Sequence, residues 1–241
     1  MPKRKGTWAN LVSEHGQLLV VLLLVAVLIS PAWAGDKGKD EETLKNASNV
    51  LSGMLSGDSI PSDLLERADC VMVLPDVKKF GFGVGGSGGR GPMTCRSGAD
   101  FSGEWSAPAM YSMSGASLGF QVGGSSTDFV LLIMSQKGVN AVMEGKTKLG
   151  SDATAAAGPS GVTRSGTMQG ADVLTYAKAS GLFAGTSLGS ATLEPDNDAN
   201  KRLYSQDVSA KDIVMANAVR ATPAGEQFVS QLNAKIARHK N

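Results

Sequence analysis

Two serines sit at the spacing of a hydrolase nucleophile, in Gly115-x-Ser117-x-Gly119 and Gly185-x-Ser187-x-Gly189. That pattern works where a strand turns sharply into a helix and a histidine base stands nearby. Both runs here read as strand with no helix after them, and the only histidines are His15 and His239, near the two ends of the chain. A serine without a positioned base is a poor nucleophile, so no catalytic residue is assigned and the chain is expected to be no enzyme. Gly81-x-Gly83-x-x-Gly86 and Gly83-x-Gly85-x-x-Gly88 match a dinucleotide fingerprint, but Gly89-Arg90-Gly91-Pro92 follows where the fingerprint needs a helix N-terminus. Asp196-x-Asp198-x-Asn200 opens like a calcium loop, yet Lys201 replaces the glycine of the sharp turn and Asp207 the bidentate glutamate. An N-capped helix, with Asp196 or Asn197 as cap, accounts for it better. Cysteine and histidine are too few for zinc. Neither a cofactor nor a metal is expected.

The basic residues are more informative. Lys78-Lys79 reads as a strand-to-strand turn beside Phe80 and Phe82, and Arg90 and Arg96 flank the following strand. An anionic lipid headgroup calls for such a cluster, with apolar side chains to enter the interface. Ordinary solvated turn charges give the same pattern. Bulk charge offers no help: 23 basic and 22 acidic residues nearly cancel, which argues against nucleic acid as a partner. Cys70 and Cys95 lie in neighbouring apolar segments that can pair as strands. One disulfide in an oxidising compartment, or two buried thiols, would both fit.

The elements that must position these residues are legible in outline. Lys3-Arg4-Lys5, the apolar run Leu18–Ile29 and Ala32-Trp33-Ala34 form a signal-peptide pattern over residues 1–34, either cleaved or retained as an anchor. Cleavage would remove three basic residues and one acid. Residues 35–40 are polar and read as a mobile start. Leu44, Ala47, Val50, Leu51, Met54 and Leu55 then recur at helical spacing over Glu41–Leu55. Ile60–Ala68 reads as a short helix with Pro61 at a harmless early position. Cys70–Leu74 is a buried apolar strand closed by Pro75. Lys79–Gly86 pairs with Pro92–Arg96 across a glycine-rich turn, Ser87–Gly91. Strands follow near Ala107–Met113, Ala116–Val122 and Thr127–Met134, with turn signals at Ser114-Gly115 and at Gly123–Ser126. Gly138–Met143 is helix, Leu149–Ala157 strand, and Ala171–Ala179 with Leu182–Leu193 a hairpin about Ser180-Gly181. Helices at Asn197–Tyr204, Ala210–Ala216 and Ala224–Ala237 end the chain. With 30 glycines and 5% aromatics, the composition favours a curved, β-rich sheet.

The stretch Trp105-Ser106-Ala107-Pro108, Gly119-Phe120-Gln121-Val122-Gly123 and Thr127-Asp128-Phe129-Val130 resembles the core of the SYLF domain. Ile60-Pro61, Leu149-Gly150, Ala157-Gly158-Pro159, Tyr176-Ala177-Lys178, Gly181–Gly185 and Asp198-Ala199-Asn200 with Tyr204 extend the resemblance. It implies an α+β fold: a single domain with a curved antiparallel, barrel-like sheet of about eight to ten strands and helices at both ends. The expected division is a signal peptide (1–34), an N-terminal linker and helix (35–59), the SYLF-like domain (60–220) and a C-terminal helix (221–241). SYLF domains are described as binding anionic phospholipids, so the resemblance implies anionic phospholipid or a membrane surface as partner, and with the signal-peptide pattern an exported protein, periplasmic or extracellular after cleavage. Lys78, Lys79, Arg90 and Arg96 would be its contacts. A structural or protein-binding envelope role without lipid is the alternative.

Overall fold

A computed structural model of the chain describes residues 33–57, 59–98, 100–145, 147–149, 155–157, 171–180 and 191–240. Residues 37–241 form one compact unit and residues 1–36 another. Residues 1–32 of the signal-peptide pattern, the segment Gly158–Gly170 and the Gly185-x-Ser187-x-Gly189 run lie outside the described residues.

Twelve elements follow in order: α1 (Trp33–Ser56), α2 (Ser62–Arg67), β1 (Cys70–Cys95), β2 (Ala109–Ile133), α3 (Gln136–Met143), β3 (Thr147–Lys148), β4 (Ala155–Ala157), β5 (Val173–Ser180), β6 (Ala191–Pro195), α4 (Asn197–Tyr204), α5 (Ala210–Val214) and α6 (Pro223–Lys240). The class is α+β, as expected, but among the described residues the strands are fewer, and the first two are far longer. The expected turns at Ser87–Gly91, Ser114-Gly115 and Gly123–Ser126 do not reverse the chain. β1 is one strand of 26 residues and β2 one of 25, paired antiparallel from Cys70↔Ile133 to Met93↔Ala109. Glycine and serine runs mark turns, but they also mark strands that must bend, and here they do the second. Nor is residue 37–40 a loose start, since α1 already includes it.

The ribbon of β1 and β2 folds back over itself. A straight strand of 26 residues would span about 80 Å, yet the Cα atoms of Cys70 and Cys95 are 4.0 Å apart and their sulfurs are bonded. Of the two readings open for these cysteines, the disulfide is the one found. Two register shifts, at Leu74/Val77 and Phe82/Val84, help the bend. The first holds Pro75, which cannot donate to a ladder, and Asp76, whose φ of 52° is a left-handed conformation that Asp tolerates. Between the folded arms the backbones nearly touch. A methyl group added at Gly89 would lie 2.7 Å from Val77 Cγ2, and one at Gly91 would overlap the Val73 carbonyl oxygen.

β5 and β6 both run antiparallel to β2, on the edge away from β1, so they cannot be the two arms of one hairpin. They keep a common register: the eleven steps from Gly115 to Ser126 match the eleven from Ser180 to Ala191. β3 adds to β6, and β4 adds to β5 in the one parallel pairing among the described residues.

Alternation along the ribbon supplies two buried faces. Met72, Leu74, Val77, Met93, Tyr111, Met113, Phe129 and Leu131 point to an inner core closed by Val139 and Val142 of α3 and Ile213 and Val214 of α5. Val71, Val73, Val130 and Leu132 point outward, under Ala47, Leu51 and Met54 of α1, Leu64 and Leu65 of α2, and Phe228 and Leu232 of α6. Burial on both faces explains why the first arm reads as an unbroken apolar run rather than an alternating one. A third, smaller cluster joins Leu44 of α1 to Met110, Ala199, Leu203 and Ala224.

Two outcomes test this architecture. Gly91→Ala should destabilise by at least about 3 kcal/mol in a denaturant titration, because the backbone it meets cannot rotate aside. Gly88→Ala, whose new methyl would meet nothing closer than 3.8 Å, should cost no more than about 1 kcal/mol. Equal effects would refute the folded ribbon. Replacing both Cys70 and Cys95 by Ala should cost about 3 kcal/mol, the chain-entropy scale for a bridge across 25 residues, with no change in the native circular dichroism.

Candidate functional site

The basic residues singled out in the sequence fall into three places. Lys78 and Lys79 are not in a turn. They are consecutive strand residues, so their side chains leave opposite faces of β1. Lys78 points outward with Ser126, its partner on β2. Its Nζ donates to Asp76 Oδ1 at 2.7 Å, with both side chains more than half exposed. The Asp76 carboxylate also accepts from Ser126 Oγ, and its backbone N–H donates to Asp128 Oδ1 at 2.8 Å. Lys78, then Ser126, hold the Asp76 carboxyl below the usual carboxylate range. Lys79 turns inward instead. Its Nζ lies 5.6 Å from the ring centroid of Phe129, within cation–π range, and burial lowers its pKa.

Phe80 follows on the outward face. It is 67% exposed and is the exposed large hydrophobic among the described residues. Its ring lies where a Cβ on Gly86 would be, 2.8 Å away from the nearest ring carbon, so the glycine lets the aromatic lie across the bend. Across β2, exposed Lys178 of β5 stands opposite Asp128. The outward face near the bend thus carries an aromatic, two exposed lysines and two carboxylates that only partly offset them. Lys178 and Asp76 were not foreseen as part of this patch; their membership follows from strand register, which the sequence did not reveal.

Arg90 and Arg96 are elsewhere and are engaged. Arg90 donates from Nε to Asp196 Oδ2 at 2.7 Å and from Nη2 to Asp40 Oδ1 at 2.8 Å. Arg202 of α4 donates to the same Asp40 carboxylate, from Nε at 2.7 Å and Nη2 at 3.2 Å. Asp40 is fully buried. Arg96 lies 4.4 Å over the Trp105 ring and donates from Nη1 to the Gly103 carbonyl at 3.4 Å. Burial draws its pKa down, against the nearby charges of Glu66 and Asp69. The four residues share no partner.

The other motifs brace the fold. Ser106 Oγ accepts from Cys95 N–H, and the Ser106 carbonyl accepts from Thr94 Oγ1 at 2.7 Å, both beside the disulfide. Asp196 caps α4, accepting from Ala199 N–H at 3.0 Å, as its helix-cap reading expects. Asn200 is buried, and its amide oxygen accepts from Met110 N–H at 2.7 Å while its amide nitrogen donates to the Met110 carbonyl. Tyr204 Oη donates to the Pro108 carbonyl at 2.5 Å. The backbone at Gly115–Gly119 is paired strand rather than a strand-to-helix elbow, and so is that at Gly81–Gly88. No group of three or more metal-ligating side chains occurs among the described residues.

Residues 114–235 match the family described as Ysc84, Las17-binding protein actin regulator. The SH3 domain-containing YSC84-like protein 1 of Homo sapiens is 33% identical over 194 residues, which cover 79% of this chain and 56% of that protein. Its Xenopus laevis counterpart is 32% identical over 195 residues, covering 79% and 57%. LAS seventeen-binding protein 3 of Saccharomyces cerevisiae is 32% identical over 209 residues, covering 81% and 44%. The chain thus spans about half the length of the curated relatives it matches.

The matched stretch includes two of the chain's three tyrosines, and all three are sheltered. Tyr111 and Tyr176 are buried and Tyr204 is half-buried. Burial raises the pKa of each hydroxyl above the ordinary value of about 10, and the charge of Asp63 adds to the effect at Tyr176. A raised folded-state pKa means the stability contribution is complete below about pH 10 and is lost as pH climbs beyond it. In an alkaline titration followed by tyrosinate absorbance, the folded protein should show no tyrosine ionising near pH 10. All three should appear together with the loss of circular dichroism; one ionising early in the folded state would contradict this packing.

Proposed function

We propose, from the premise that the chain belongs to the Ysc84, or SYLF, family, that it is a non-enzymatic binding protein whose partner is anionic phospholipid at a membrane surface. The observation that carries this reading is Phe80, exposed on the outward face of the bend beside Lys78. An aromatic ring enters the interfacial region of a bilayer, and adjacent lysines meet its phosphates. The Lys78–Asp76 pair is solvent-exposed, and such pairs contribute only about 0–1 kcal/mol. Lys78 can therefore trade Asp76 for a phosphate at little cost. Lys79 and Lys178 add charge on either side of the sheet. Arg90 and Arg96 belong to the reading only at a distance, because both are already held by protein partners.

Export to a periplasmic or extracellular compartment is part of the same proposal. It draws support from the signal-peptide pattern and from the Cys70–Cys95 bridge, since such bridges persist where the surroundings are oxidising. The names of the relatives favour a second reading, in which the bend meets a protein rather than a lipid. For this chain that partner would be an envelope protein.

Flotation with phosphatidylglycerol vesicles and with phosphatidylcholine vesicles separates the two. The lipid reading expects recovery with phosphatidylglycerol only, weakening as salt is raised, and a loss of roughly tenfold in affinity for Phe80→Ala combined with Lys78→Gln, about 1.4 kcal/mol. Equal recovery with both vesicle types at low salt would refute it. A lipid-independent protein complex abolished by the same double substitution would establish the second reading.

A further inference from the structure

Asp40 stands where the architecture calls for an apolar side chain. It precedes Leu44, Ala47 and Leu51 on the buried stripe of α1 and is itself fully buried. A buried ion pair is seldom more stabilising than apolar side chains of the same volume, and its best-attested use is to set a register or a switch. We infer that Arg90 and Arg202 form a site for a phosphate group, and that Asp40 is the internal occupant that keeps the start of α1 docked until such a group displaces it.

Three observations carry this. First, the arginines are reachable and the carboxylate is not: the side chains of Arg90 and Arg202 keep 37% and 20% of their exposure, against 0% for Asp40. An anion arriving from solvent meets guanidinium before it meets Asp40. Second, Arg90 is held without α1. Arg90 lies in β1 and is gripped by Asp196, which is fixed as the cap of α4. Arg202 lies in α4 itself. The Arg90 fork keeps its place when Asp40 leaves, and Arg202 stays on the helix that Asp196 caps, so half of the site is preorganised. Third, little apolar surface opposes the exchange. In the first turns of α1 from residue 37, the core apolar residue is Leu44, in the smallest of the three clusters, while Ala47 onward belongs to a larger one. Only the beginning of the helix has to lift. A phosphate offers more oxygen acceptors to two guanidinium forks than a carboxylate does.

The phosphate can be a lipid headgroup or a free anion. In the first case the inference rests on the phospholipid reading above; in the second it stands alone. Hydrogen exchange of residues 40–48 in the intact protein distinguishes them, with phosphatidylglycerol vesicles, phosphatidylcholine vesicles, and inorganic phosphate against chloride at matched ionic strength. The inference expects exchange at least about tenfold faster with phosphatidylglycerol, with inorganic phosphate, or with both. Residues 70–74 of β1 should stay protected throughout. Asp40→Asn weakens the internal occupant and should lower the half-saturating concentration about tenfold; Arg202→Gln should raise it. Should Arg202→Gln fail to fold, Asp40→Asn decides alone. Unchanged exchange with every probe overturns the inference, as does an Asp40→Asn half-saturation equal to the wild type. Flotation on phosphatidylglycerol with α1 still protected overturns it and leaves the phospholipid reading intact. Faster exchange with inorganic phosphate, without flotation, supports it and removes the phospholipid reading.

Discussion

The constraint on which the structure depends is the meeting of the two ends of a single strand. Cys70 and Cys95 open and close β1, and their bond fastens the two ends of a ribbon that has returned to its origin. The bond alone is not sufficient. The arms can close only because Gly89 and Gly91 present no side chain where Val77 and the Val73 backbone come against them. Closure then creates two surfaces of different kinds. The inner one is filled by Phe129, Met93, Tyr111 and their neighbours and closed by α3 and α5. The outer one is broad enough to need helices from both ends of the chain. Helices close in sequence to neither arm, such as α6, become part of the core because the ribbon gives them an apolar floor.

Several residues of the motifs that carry the resemblance serve this closure. Ser106 ties the segment after the disulfide to the strand that carries Cys95. Asn200 engages both backbone polar groups of Met110 from a helix, as a neighbouring strand residue would, and Tyr204 fixes Pro108. Trp105 supplies the surface on which Arg96 lies. Residues that brace the backbone in this way bear on the fold more than on an activity, because function resides in sites placed on a fold. The relatives are about a third identical to this chain over the aligned stretch and extend well beyond that stretch.

The sequence made the helices legible and the strands half legible. Periodicity located α2 through α6 to within a few residues, and α4 to both ends, because an apolar stripe and a capping Asp are local signals. Reversals of the sheet were another matter. Gly123-Gly124-Ser125-Ser126 has the composition of a tight turn, yet it lies in paired strand. Whether such a run turns or merely curls is decided by what packs on it from far along the chain, and no window of neighbours contains that. The same error misplaced the lysines. A turn would have set Lys78 and Lys79 side by side, whereas a strand sends one to Asp76 and the other to Phe129. Asp40 escaped notice because a charged residue at the head of a helix looks like solvent-facing polarity until its arginines, 50 and 162 residues away, are seen to reach it.

Formal charge then has to be weighed by commitment rather than by count. The whole chain carries a net charge near +1, too little to draw an anion from a distance. What a membrane or a phosphate would meet depends on which cations are already bound. Arg96 is covered by an aromatic ring and a carbonyl, and Arg90, bonded to two carboxylates, meets an anion only where Asp40 gives way. Lys78, in contrast, is joined to a single exposed carboxylate two residues away in its own strand. The bulge at Pro75-Asp76 is what places that carboxylate there, by setting Asp76 in a left-handed conformation and turning its N–H to Asp128. The irregularity that lets the ribbon bend is therefore also the irregularity that moderates the charge beside Phe80. Fold and surface chemistry at this point are set by the same two residues.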